Sequence, residues 1–427
     1  MRRRITPTTA RGEMTVPGSR SITNRALVAA ALADGVSSLR GVPVCDDTQA
    51  MIDGLRSLGV SIRRHDDQLL VTGRGGRIGR PGAVVNALAS GTTARFLTAV
   101  ACLGEQKAVV NGVKRLQERP LGPLVDALRK MGAQIEGEHL PLLVGGGSLV
   151  AGSVEVDASA SSQFVSALAL IGPVIEGGLS IRWGELVSRP FVEMTVEVMA
   201  TFGVTVELSD RGLTVSDRAT YGAAEMSIPP DAASAVYPAL AAAITRGRVV
   251  IRGLQRAPSQ ADLRVFDMFQ EMGCRVEWSR TGVRVDGPER LRAVDADMGS
   301  APDGALAVAI AAAFADGTSR IRGLDTLAAK ESDRTAGLAQ GLTAMGATVE
   351  VEAAGLSITA GDPREATIDP HADHRMAMVF SVAGLGRKGI RVEDSDCVGK
   401  TWPGFYEDMN RICGSSWARP DPRESAE

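Results

Sequence analysis

Several short stretches of this chain gather side chains that hold anions, and others gather side chains that move protons. Residues 17–25, PGSRSITNR, bring two guanidinium groups (Arg20, Arg25), two hydroxyls (Ser19, Ser21) and Asn24 to the start of an alanine-rich run. Hydroxyls and backbone N–H groups at a helix start suit an anion, and arginine forks suit phosphate or carboxylate. Residues 89–95, ASGTTAR, put a glycine-threonine turn at another helix start, and 114–120, KRLQERP, set three cations beside a proline. Residues 159–164, SASSQF, offer three hydroxyls and an amide, and 186–191, LVSRPF, place a serine before a cation. Taken singly, each of these also reads as a capped helix or a solvated loop.

The acidic positions are sharper. Asp231 in PPDAAS and Asp303 in APDGAL each stand where an alanine-rich run begins. Whether Asp231 is a site residue or only a helix cap stays open at this level. KESDR compresses Lys330, Glu331, Asp333 and Arg334 into five residues; DHRMAM follows at 373–378 and GKTWP, with Lys400, at 399–403. Each of these, taken singly, also reads as a salt-bridged helix start. If the helix starts converge, these loops form one anion pocket in a chain whose net charge is only −3.

The elements that must position these residues show in a repeat. Five segments with apolar residues at helical spacing end in an apolar residue plus glycine, at Gly59, Gly132, Gly203, Gly273 and Gly346. The intervals are 73, 71, 70 and 73 residues. Each segment predicts an amphipathic helix closed by a left-handed glycine, followed by a hairpin of two alternating strands. Between them lie six alanine-rich helix patterns, such as NRALVAAALADG and ALAVAIAAAFADG. Small-residue helices approach closely, so these six are expected inside and the other set nearer the surface. Six units of roughly 70 residues point to a closed, pseudo-symmetric arrangement rather than an open solenoid.

Composition narrows the function. A chain of 427 residues with 44% apolar and 23% charged residues predicts a folded protein of two domains. Aromatics are only 4%, so the core is aliphatic. The net charge argues against nucleic acid as the main partner. Five scattered cysteines without CxxC spacing argue against a disulfide framework or zinc site and favour a reducing cytoplasm. No apolar run follows the opening Met-Arg-Arg-Arg, so no secretory signal is expected, and no stretch reaches the roughly 18 uncharged apolar residues of a membrane span. The polar tail after Ser415 is expected to fray.

Together, PGSRSITNR, CDDTQAM (45–51), KRLQERP, SASSQF, KESDR, DHRMAM and GKTWP resemble the 5-enolpyruvylshikimate-3-phosphate synthase family, in family order over almost the whole chain. The resemblance implies an α/β fold of two inside-out α/β barrel domains, each of three βαβαββ units, joined by two crossovers. It implies a discontinuous domain of residues 1–18 plus 230–427 and a continuous domain of 19–229. It implies transfer of the enolpyruvyl group of phosphoenolpyruvate to the 5-hydroxyl of shikimate-3-phosphate by a cytoplasmic monomer that needs no metal or organic cofactor.

Roles follow from the resemblance position by position. Ser21, Arg25, Ser161, Ser162, Gln163, Ser188 and Lys330 resemble the ligands of the phosphorylated acceptor. Arg119, Arg334, Arg375 and Lys400 resemble the clamp on phosphoenolpyruvate, approached by the backbone of Gly91. Asp303 resembles the group that takes the acceptor's hydroxyl proton, Glu331 the group that protonates the methylene carbon, and His374 an assistant beside it. Arg20 stands at the centre of the site where the family usually has lysine. The family commonly has asparagine at Ala89, tyrosine at Phe191 and asparagine near Thr326. These departures fall on the acceptor side, so transfer to another phosphorylated acceptor is the alternative. The sister activity on a UDP-sugar usually carries a loop cysteine, which KRLQERP lacks.

Overall fold

The computed structural model describes residues 1–145, 149–257 and 259–421. The chain is a mixed α/β protein of two compact units. The first joins Met1–Pro17 to Pro230–Glu427, and the second is Gly18–Pro229.

The second unit carries the helices α1 (Arg20–Leu32), α2 (Asp46–Ser57), α3 (Gly91–Ala101), α4 (Lys114–Gln117), α5 (Gly122–Lys130), α6 (Gln163–Ile171) and α7 (Pro190–Thr201). The first carries α8 (Ala232–Ile244), α9 (Arg264–Glu271), α10 (Ala305–Ala312), α11 (Arg334–Ala344), α12 (His374–Ala383) and α13 (Phe405–Cys413). Every residue of α6 from Phe164 on, and all of α10 and α12, is buried. α1, α3 and α8 are buried along nearly their whole length. These are the alanine-rich runs, and small side chains are what lets helices sit inside without a polar face. α2, α5, α7, α9 and α11 bury one side only.

The repeat is visible in the sheets. Ala83–Asn86 runs parallel to Ala108–Asn111, which pairs antiparallel with Leu142–Gly145, and that in turn with Gln134–Glu136. With α3 and α5 between the strands, the order is strand, helix, strand, helix, strand, strand. Three sheets of this pattern belong to each unit. In three of them a strand comes from far along the chain: Glu225–Ser227 joins Val36–Arg40, Arg11–Met14 joins Arg248–Arg252, and Arg3–Ile5 joins Ile390–Val392.

The five marker glycines behave alike. Gly59, Gly132, Gly203, Gly273 and Gly346 all have φ between 85° and 103°. In each case the next residue's N–H bonds back to the last turn, as Val60 to Leu55 O at 3.0 Å and Ala347 to Leu342 O at 3.0 Å. That is the Schellman closure, and it needs the left-handed residue that glycine supplies without strain. At Gly341 a Cβ would lie 2.3 Å from Phe380 Cζ, so α11 can approach α12 only there because the side chain is missing.

The tail corrects an expectation. Trp417 is buried, and Ala418–Pro420 pairs antiparallel with Arg3–Ile5, completing the sheet that holds Ala366–Ile368 and Ile390–Val392. The tail docks because Arg3–Ile5 leaves an edge to fill. Of the residues expected to fray, 422–427 lie outside the described part. Among the described residues no helix is long and apolar enough to cross a membrane.

Candidate active site

In the first unit, three helix starts bring charge together. α12 begins at Asp373, whose carboxylate caps the N–H of Arg375 at 2.9 Å. α11 begins at Arg334, after Asp333 caps the N–H of Ala336 at 3.0 Å. Asp303 stands one residue before the Gly304 cap of α10. Arg334, 1% exposed, spans all three: Nε donates to Asp373 Oδ2 at 2.7 Å, Nη1 to Asp303 Oδ1 at 2.8 Å and Nη2 to Glu331 Oε2 at 2.9 Å. Ser332 Oγ adds a bond to Asp373 at 3.1 Å. A buried guanidinium with three carboxylates has its donors satisfied and its charge outweighed, so it is pinned.

The remaining cations surround the two carboxylates that face solvent in part. Arg375 Nη2 lies 3.2 Å from Asp303 Oδ2 and Lys330 Nζ 3.5 Å from Asp303 Oδ1. Lys400 Nζ is 2.5 Å from Glu331 Oε1. Asp303 is 21% exposed, Glu331 16% and Asp373 0%. Burial pushes Asp303 up, but Arg375, Lys330 and Arg334 together outweigh it and hold the carboxyl well below its usual range. His374 is buried, and neither ring nitrogen has a hydrogen-bond partner. Burial, with Lys400 next, pushes its pKa well below the ordinary value, so it is neutral and its 3.7 Å approach to Asp373 is not an ion pair.

In the second unit the cations are held differently. Arg25, 2% exposed, donates Nε to Thr195 Oγ1 at 2.7 Å, Nη1 to Ser21 O at 2.8 Å and Nη2 to Phe191 O at 3.0 Å and Ser166 Oγ at 3.4 Å. Four neutral acceptors occupy all but one of its five N–H groups. Arg25 therefore ties α1 to α7 and supports the 188–191 segment. Ser188 holds a left-handed φ of 52°, a strained conformation for serine of the kind found at ligand-binding positions.

Gln163 opens α6 with its N–H on Ser161 Oγ at 3.3 Å; Ser162 makes no side-chain cap. Arg95 Nη1 donates to Gln163 Oε1 at 2.6 Å and Nη2 to Pro120 O at 3.0 Å, while Gln163 Nε2 reaches Thr92 Oγ1 at 3.3 Å. A Cβ on Gly91 would meet Arg119 Nη1 at 3.0 Å and Arg95 Nη1 at 3.1 Å, so Gly91, Arg95 and Arg119 share one corner at the start of α3. Arg20 is ion-paired with Asp47 at 2.9 Å.

Lys330, Glu331, Arg334, His374, Arg375 and Lys400 thus meet around Asp303, and Gly91, Arg119 and Gln163 meet around Arg95. Sequence reasoning missed Arg95, Asp47 and the Asp373 carboxylate as partners, although all three stand inside the motifs ASGTTAR, CDDTQAM and DHRMAM. Asp231 caps α8, accepting the Ser234 N–H at 3.1 Å. Thr326 Oγ1 is shielded from solvent and unbonded.

A model of the EPSP synthase family, 3-phosphoshikimate 1-carboxyvinyltransferase, matches residues 5–409. The chain belongs to the EPSP synthase family. Relatives named 3-phosphoshikimate 1-carboxyvinyltransferase include one from Thermococcus kodakarensis, 40% identical over 94% of this chain and 97% of that protein. Another, from Shewanella woodyi, is 38% identical over 93% and 95%. A solved EPSP synthase structure from Acinetobacter baumannii superposes with a TM-score of 0.83 at 28% identity, covering 96% of this chain and 98% of that one. For an EPSP synthase relative, a site dense in paired carboxylates and cations is the expected equipment of a carboxyvinyl transfer.

Proposed function

We propose that the protein transfers the enolpyruvyl group of phosphoenolpyruvate to the 5-hydroxyl of shikimate-3-phosphate, releasing phosphate. The observation that carries this reading is the pair Asp303 and Glu331, each held by its own cations: Arg334, Arg375 and Lys330 on one, Lys400 and Arg334 on the other.

In this reading Glu331 delivers a proton to C3 of phosphoenolpyruvate, which gives C2 cationic character. The acceptor oxygen adds at C2 while its proton passes to Asp303. The tetrahedral intermediate then loses phosphate as the C3 methyl gives back a proton, restoring the double bond. Arg119, Arg334, Arg375 and Lys400 hold the phosphate and carboxylate, and Ser161, Ser162, Gln163 and Ser188 hold the acceptor with Ser21. Free Asp303 is too acidic to be a good base. When substrate anions draw Arg375 and Lys330, its low pKa relaxes upward, so binding switches on the base. Neutral His374 beside Lys400 and Glu331 helps keep that end dry and leaves Glu331 as the proton carrier.

We further read the sheets of each unit as an inside-out barrel around the buried helices, and the protein as a cytoplasmic monomer. The test is phosphate release from phosphoenolpyruvate with shikimate-3-phosphate. Prompt release supports the proposal, and release only with other phosphorylated acceptors overturns the acceptor assignment. Beside the departures at Ala89, Phe191 and Thr326, that second outcome has a structural motive: Asp47 already claims part of the Arg20 guanidinium, so less of its charge is left for an acceptor phosphate.

A further inference from the structure

Asp262 is a carboxyl that the proposed reaction does not use. It lies in the short turn Ala261–Leu263 ahead of α9 and is 5% exposed. Its Oδ1 has no hydrogen-bond partner. It does not cap α9, because the position before that helix is Leu263 and makes no side-chain bond.

The turn is fixed in place by its neighbour. Gln260 Oε1 accepts the Ala232 N–H at 2.8 Å and Nε2 donates to Pro230 O at 3.0 Å, fastening the turn to the start of α8. On the other side a Cβ on Gly304 would lie 3.1 Å from Asp262 Oδ1. The unbonded oxygen therefore faces the residue next to Asp303. The charged groups around it come from every neighbouring element: Asp231 from the cap of α8, Asp303 before α10, Lys330 from its loop and Arg375 from α12, which Tyr237 of α8 also faces. On α9 itself Arg264 is exposed and Asp267 is paired with Arg256 at 2.9 Å.

Charge balance selects a protonation state. The network holds five carboxyls (Asp231, Asp262, Asp303, Glu331, Asp373) and four cations (Lys330, Arg334, Arg375, Lys400). Asp373, Asp303 and Glu331 each touch a cation within 3.0 Å, and Asp231 accepts the Ser234 N–H and Oγ. Of these carboxyl oxygens, Asp262 Oδ1 is the one both sealed from solvent and unbonded. If it keeps its proton, four charges of each sign remain before any substrate arrives.

We propose that Asp262 is a positioning residue for anion binding: as a neutral acid it leaves Arg375 to the substrate, and as a carboxylate it adds a fifth negative charge that draws on Arg375 and weakens the anion's hold. Burial, offset in part by Arg375 and reinforced by Asp303 and Asp231, raises its pKa to about 7, where physiological changes of pH move it.

This rests on the enolpyruvyl-transfer reading, so the test has one arm that does not. In the full chain, KM for phosphoenolpyruvate is measured at saturating shikimate-3-phosphate for wild type and Asp262→Asn between about pH 6 and 8.5. The ratio of the two cancels the substrate's own titration. It is expected to rise by about tenfold or more across that range, since ionisation one unit past a pKa leaves about a tenth of the acid form. A flat ratio overturns the proposal. In the second arm, infrared spectra of the substrate-free wild-type chain are followed over the same pH range. A protonated-carboxyl band that fades near neutral pH, and is missing in Asp262→Asn, supports the proposal; its absence from the wild type at low pH overturns it, whatever reaction the protein catalyses. If the variant fails to fold, the wild-type band alone decides.

Discussion

The candidate-site residues Arg334 and Arg375 of the first unit and Arg25 of the second are held in opposite ways. In the first, Arg334 and Arg375 are bound to carboxylates, and their charge is largely spent inside the network. In the second, Arg25 is bound to hydroxyls and backbone carbonyls, which fix the guanidinium but leave its charge intact. The contrast separates two tasks. An uncompensated cation on neutral supports attracts an anion and needs nothing to rearrange. A compensated network ties the pKa of each carboxyl to where the cations point, so an arriving anion changes proton affinity. Arg20, also in the second unit, differs from Arg25, because Asp47 pairs with it directly.

The strongest way to break this contrast is Asp303→Ala. Turnover is expected to fall by about a thousandfold, about 4 kcal/mol of transition-state stabilisation, with acceptor affinity changed by less than about tenfold. Phosphate release and equilibrium binding of shikimate-3-phosphate report the two; unchanged turnover would remove Asp303 from proton transfer.

Arg334→Met and Arg25→Met probe the supports themselves. Arg334→Met leaves Asp373 buried with its main counter-charge gone, which should cost about 3–5 kcal/mol in urea unfolding. Arg25→Met leaves only neutral groups short of a donor, which should cost about 1–3 kcal/mol. Equal losses would mean that charge compensation does not distinguish the units.

Acid sharpens the same point. Asp303 has a folded-state pKa below its unfolded value, so the stability it contributes is fully present above about pH 4 and is lost as the pH falls through the folded pKa. Thermal melting followed from pH 6 to 3 should drop less steeply in Asp303→Asn than in the wild type. Matching slopes would place the acid sensitivity elsewhere.

The smallest effect expected is from Arg20→Lys. An ammonium can keep the pair with Asp47, so kcat/KM with shikimate-3-phosphate should stay within about threefold or improve. Loss of activity would show that the arginine's shape is fitted to this chain's acceptor.

The sequence carried the repeat clearly, because helix closure by a left-handed residue leaves a glycine and the spacing between glycines survives as a number. Five such closures were legible, and the sixth was not. α13 ends at Gly414 with an Asn410 O contact of 2.9 Å instead of the shared pattern, and the strand after it pairs with the first strand of the chain rather than with a neighbour in sequence. The site motifs were legible as groups, since caps and cations lie within a few residues of each helix start. Asp262 was not, because it sits in no motif; what marks it is an unbonded oxygen under Gly304.

Residue types and their spacing alone determined which helices are small and apolar enough to be buried, and, through interactions within about one turn, where they end and which side chains stand at their starts. Only the tertiary structure decided which charges meet. Arg334 and Asp373 lie 39 residues apart and Lys400 and Glu331 69 apart, and the burial that makes those pairs strong exists only once the helices have packed.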